Sequence, residues 1–123
     1  MTGTFEGRRI LVVEDSPVVA DDSSEILQAL GCSVVGPAGN MASALQLAEE
    51  GNVDAAIVDL NIRGGKSFAV LKILEARGIP FLITSGYADW TMPEEWSERP
   101  RLPKPYTADS LRMRLAELLV EES

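Results

Sequence analysis

Five side chains carry the chemistry open to this sequence: the acidic pair Glu14 and Asp15, then Asp59, Thr84 and Lys104. The first four follow short apolar runs, Ile10 to Val13, Ala55 to Val58 and Phe81 to Ile83, and Lys104 follows the brief Arg101–Leu102 segment. Runs of this length and β-branched character read as strands of a parallel sheet, and in such a sheet the residues after the strands gather at the carboxyl edge. Three carboxylates brought together repel one another and need a cation to ionise side by side. Mg2+ meets that need, because it takes one or two carboxylates, several waters and a phosphoryl oxygen. A lysine and a hydroxyl in the same pocket add a positive point charge and a donor for a phosphoryl group. Taken alone, Asp59 suits a turn and the acidic pair suits a helix start. Their convergence points to a pocket that holds a phosphate on an aspartate.

The elements that must position these groups follow one another simply. Arg9 to Val13 is a first strand, and Ser16 with Pro17 starts a helix whose apolar residues are Val19, Ile26, Leu27 and Leu30, ended by Gly31. Cys32 to Val35 is a second strand, with Gly36 to Gly39 as its loop. A second helix has Met41, Ala44, Leu45 and Ala48 on its inner face and closes at Gly51. Ala55 to Val58 is the third strand, and after a Gly64–Gly65 turn Phe68, Leu71 and Leu74 mark a third helix stopped by Gly78 and Pro80. Phe81 to Ile83 is a fourth strand. Trp90, Met92 and Trp96 suggest a short fourth helix around Pro93 that they help to pack. Arg101 and Leu102, between two prolines, leave only a brief fifth strand at an edge. Thr107 caps a last helix with Leu111, Leu115, Leu118 and Leu119 on one face.

Composition narrows the classes. A chain of 123 residues is read as one domain, residues 1–123, able to bury a core without disulfide or metal staples. No apolar run approaches a membrane span and no signal-peptide pattern precedes Ile10, so the expected location is cytoplasmic, away from any membrane. The absence of histidine and the single cysteine, Cys32 in an apolar segment, argue against zinc and haem. A net charge of −8, with no clustering of the 11 basic residues, argues against direct contact with nucleic acid.

On Glu14–Asp15, Asp59 in Ile-Val-Asp-Leu, Thr84 in Ile-Thr-Ser-Gly-Tyr, and Lys104–Pro105, the chain resembles the receiver domains of two-component response regulators over essentially its full length. The resemblance implies a flavodoxin-like, doubly wound (β/α)5 fold with five parallel strands in the order 2-1-3-4-5. It implies that Asp59 is the phosphoacceptor and that Asp15 ligates Mg2+ with help from Glu14, Asp59 and the Asn61 backbone carbonyl. Lys104 would pair with the phosphoryl group, Thr84 would donate to it, and the bond before Pro105 would be cis. The implied partners are a sensor histidine kinase or histidine phosphotransfer protein and a downstream effector protein. Dimerisation through the face of the fourth helix, fifth strand and last helix is a further expectation.

The sequence departs from the family pattern on the fifth strand, where Arg101 stands three positions before the lysine in place of the frequent aromatic. Tyr87, three residues after Thr84, is then the candidate switch ring, as in a receiver subgroup whose aromatic follows the threonine strand. Arg63 to Gly65 also replace a frequent proline after Asp59. Two competing functions are weaker. An aspartate-nucleophile phosphohydrolase needs an acid two residues after the nucleophile, where Asn61 cannot serve, so the chain is not read as an enzyme. A pseudo-receiver, a module that binds proteins without being phosphorylated, is the alternative reading.

Overall fold

Strands that are apolar on both faces must be covered on both sides, and the helices here supply the cover. In the computed structural model, which describes residues 5–63, 65–86, 94–97 and 99–122, the elements in order are β1 (Arg9–Val13), α1 (Pro17–Ala29), β2 (Ser33–Ala38), α2 (Met41–Glu50), β3 (Ala55–Asp59), β4 (Asn61–Ile62), β5 (Gly65–Lys66), α3 (Phe68–Ala76), β6 (Phe81–Ser85), α4 (Glu94–Ser97), β7 (Arg101–Pro103) and α5 (Ala108–Glu122). The main sheet is five-stranded and parallel in the order β2-β1-β3-β6-β7. This is the doubly wound order expected from the sequence, with β6 and β7 as its fourth and fifth strands.

Alternation along the central strands divides the core in two. Leu11, Val13, Ala56, Val58 and Ile83 face one side, against Ala44 and Ala48 of α2 and Val70, Leu71 and Leu74 of α3. Ile10, Val12, Ala55, Ile57 and Leu82 face the other, against Leu27 of α1 and Leu111, Leu115, Leu118 and Leu119 of α5. Cys32 is buried on this second side as a small apolar residue. Trp96 of α4 lies fully buried on the first side, edge-on to Phe81, and so packs as expected, whereas Trp90 and Met92 fall outside the described residues.

Two local expectations change. The second strand runs on through Gly36 and Pro37 to Ala38, where the sequence suggests a loop. At the sheet edge the missing proline donor costs nothing, and an irregularity between the Leu11 and Val13 pairings restores the register, with Glu14 N–H donating to Ala38 O at 3.0 Å. Gly36 is required there: its φ is +95°, and a Cβ would stand 2.8 Å from the Ala38 nitrogen. The segment after Asp59 is a small antiparallel hairpin, β4 with β5, which a glycine turn alone does not announce.

Helix ends follow their caps. Ser16 accepts from Val19 N–H ahead of Pro17, and Asn40, not anticipated, accepts from Ser43 N–H at the start of α2. Arg77 donates to the carbonyls of Ala48 and Gly51, satisfying the end of α2 and tying α3 to it. Among the described residues no helix is long and apolar enough to cross a membrane.

Candidate functional site

Parallel register brings the chemistry to one edge. Glu14 and Asp15 follow β1, Asp59 ends β3 directly opposite Thr84 in β6, and Lys104 follows β7. One carboxylate oxygen from each of Glu14, Asp15 and Asp59 lies within 4.8 Å of the others. Lys104 Nζ reaches into this group, 2.7 Å from Glu14 Oε1 and 2.8 Å from Asp59 Oδ2. Glu14 and Asp59 are buried and Asp15 is half-buried.

The backbone holds each group in place. Glu14 Oε2 accepts from Ser16 N–H at 3.0 Å, and Asp59 Oδ1 accepts from Asn61 N–H at 3.2 Å. Thr84, 1% exposed, is locked into β6 with its carbonyl accepting from Leu60 N–H. Lys104 N–H donates to Ser85 O at 2.8 Å, and the Lys104–Pro105 peptide bond is cis. Asn61 lies on the exposed rim in β4. Arg101 of β7 pairs with Ile83 of β6, one position before the pairing of Leu102 with Thr84, and Tyr87 lies outside the described residues.

Burial is the main influence on the charges. It pushes Asp59 up to about 6, assisted by the Glu14 charge and opposed by the hydrogen bond and charge of Lys104 and by Asn61 N–H. Burial also pulls Lys104 down, but its bonds to Asp59 and Glu14 outweigh this and leave it raised and charged. Three carboxyl groups thus face a single ammonium, so acidic oxygens outnumber the positive charge in the pocket. A hard divalent cation fits such an all-oxygen, acid-rich set.

Ser67 belongs to the site and was not singled out from the sequence. Fully buried just before α3, its hydroxyl donates to the carbonyl of Asp59 at 2.7 Å and also lies 3.2 Å from that of Leu60. A serine immediately before an apolar helix signals a cap, yet Ser67 makes no side-chain cap bond and turns back to hold the strand end instead. Met41 N–H donating to Arg63 O fastens the hairpin loop to α2. Beside the cluster, a groove of about 900 Å³ runs between α1 and α5, lined by residues including Val19, Ile26, Leu30, Tyr106 and Lys104.

A strand-edge acidic cluster with an inward lysine thus sits on a doubly wound sheet of this order. Residues 10–116 match the response regulator receiver domain, and the chain belongs to that family. It is similar to SdrG from Sphingomonas melonis Fr1, at 39% identity and TM-score 0.82, covering 96% of this chain and 99% of SdrG. The BeF3-activated conformation of SdrG from Pseudomonas melonis Fr1 is 40% identical with TM-score 0.77, covering 97% and 99%. The receiver domain of sensor histidine kinase PA1611 from Pseudomonas aeruginosa PAO1, with a magnesium ion in its active site cleft, shares the fold at 23% identity and TM-score 0.81, covering 93% and 98%. No curated protein matches the chain.

Proposed function

We propose that Asp59 accepts a phosphoryl group from a phosphohistidine of a kinase or phosphotransfer protein and that the phosphorylated domain changes its protein contacts. The observation behind this reading is the buried Asp59 carboxylate with Lys104 Nζ at 2.8 Å and two further acids within 4.8 Å. An Asp59 oxygen attacks phosphorus in line as the phosphorus–nitrogen bond to the imidazole breaks, and the imidazole leaves with the electron pair. Lys104, already turned toward Asp59, neutralises charge on the transferred group, and the Thr84 hydroxyl donates to it.

Asp15, Glu14, Asp59 and the Asn61 carbonyl would hold Mg2+, which supplies charge neutralisation for the phosphoryl oxygens. The Mg2+ of the PA1611 receiver and the BeF3-activated form of SdrG support the same chemistry here. Incubation with acetyl phosphate and Mg2+ should add one base-labile, hydroxylamine-sensitive phosphoryl group, read by intact mass. Asp59→Asn should take none; full labelling of that variant would overturn the assignment.

A further inference from the structure

A serine in the buried stripe of a helix needs a reason, because a hydroxyl moved out of water without a partner is costly. The inward stripe of α1 reads Ala20, Ser23 and Leu27, and Ser23 is 1% exposed. Its Oγ lies 2.5 Å from the hydroxyl of Tyr106, 83 residues away in sequence. Tyr106 stands two residues after Lys104, and its ring packs against the apolar cluster shared by α1 and α5. Among the described residues the Tyr106 hydroxyl thus finds its polar partner on α1, the helix whose first turn begins at the acidic cluster.

Lys104 has a hard geometric task. Its four-carbon stem is flexible, yet Nζ must sit within 2.8 Å of two carboxylates, one just after β1 and one at the end of β3. Side-chain entropy opposes this unless the backbone beneath it is held. One side is held by Lys104 N–H on Ser85 O. On the other, Thr107 and Ser110 cap α5 reciprocally, Ser110 N–H donating to Thr107 Oγ1 at 3.0 Å and Thr107 N–H to Ser110 Oγ at 2.9 Å. Between these points lie only Pro105 and Tyr106. Glu14, one of the two carboxylates, is itself referred to α1 through Ser16 N–H.

We propose that the Ser23–Tyr106 hydroxyl pair is a positioning element that refers Lys104 to the same helix that holds Glu14, and so sets the lysine's reach to Asp59. Its consequence for phosphoryl transfer rests on the phosphoacceptor reading of Asp59. The hydroxyls touch no reacting atom. They act through the turn that carries Lys104, and burial keeps the Tyr106 phenol protonated well beyond neutral pH, so the bond persists across the working range.

The test compares the whole protein with Ser23→Ala, Tyr106→Phe, the double variant and Ser23→Thr, which keeps a hydroxyl. Two readouts are taken: the rate of acetyl phosphate labelling with saturating Mg2+, and the Lys104 side-chain resonances of the unphosphorylated protein. Ser23→Ala and Tyr106→Phe should each slow labelling by about fivefold, the double variant no more than either, and Ser23→Thr should recover most of the rate. The Lys104 resonances should move toward those of exposed lysines in the same variants. Unmoved resonances, or losses that multiply in the double variant, would overturn the proposal. If the wild type itself takes no label, the phosphoacceptor reading falls, while the resonances still decide the positioning.

Discussion

Lys104 and Arg99 both meet carboxylates, and the surroundings make the two contacts different in kind. Arg99 pairs with Glu75 where the side chains are 38% and 48% exposed, and its guanidinium also lies over the rings of Phe81 and Trp96, 5.3 and 5.6 Å from their centroids. Water screens that ion pair, and the stacking against two rings gives the arginine a second hold on β6 and α4. Lys104 meets Glu14 and Asp59 where both acids are buried, and even there the lysine does not bring Asp59 down to an ordinary carboxylate. The fastening contact is therefore the exposed one, and the buried contact holds charges in a state they would otherwise leave. Such uncompensated charge is what a divalent cation or a phosphoryl group can act upon.

The widest separation between the two contacts should come from the lysine itself. Lys104→Ala should slow acetyl phosphate labelling by about a hundredfold, as expected when a charge-stabilising donor is removed from a transferring group. Mg2+ affinity, followed by titration calorimetry, should not weaken; a weakened affinity would mean that Lys104 helps to build the metal site. Next in size is the response of the cluster to the cation. Mg2+ at about a hundred times its dissociation constant should add about 2.7 kcal/mol of stability, seen as a melting temperature higher by several degrees. Glu75→Gln should leave that increment unchanged, and its disappearance in Asp15→Asn would tie it to the cluster.

The pH dependence of Asp59 sharpens the same contrast. Its folded pKa of about 6 exceeds the ordinary 3.8, so the folded state holds the proton more tightly than the unfolded chain does. Stability from this group therefore falls as pH rises between about 4 and 6, and the loss is complete above that window. Without Mg2+, Asp59→Asn removes the ionisation and should be more stable than wild type by about 2 kcal/mol at pH 7, with no advantage below about pH 4. Urea titrations across that range would check it; a destabilised Asp59→Asn would show that Lys104 outweighs burial. The smallest effect belongs to the surface. Glu75→Gln should cost about 0.5 kcal/mol or less at moderate salt, because the stacked arginine keeps its rings.

The five main-sheet strands, the helices that cross between them and the charged residues at strand ends were legible because each has a local cause: unbroken apolar runs for β1, β3 and β6, the Ser16–Pro17 start of α1, and the leucine face of α5. The order of the sheet followed from the same pattern together with the receiver resemblance, since every main-sheet strand is parallel and must be crossed over by a helix. Local cues misled where the edge of the sheet relaxed the rules, as at Gly36–Pro37, and were silent where a residue's partner was remote. Ser67 looks like a cap and serves the carbonyl of Asp59, and Ser23 looks like an interruption of an apolar stripe until Tyr106 is placed beside it. By itself the sequence determined which groups would share an edge, because strand direction and side-chain type are local properties. Only the tertiary structure decided that Lys104 bridges Glu14 and Asp59, that Asp59 is buried enough to resist ionisation, and that two distant hydroxyls meet, because distance and desolvation arise only when separate segments pack together.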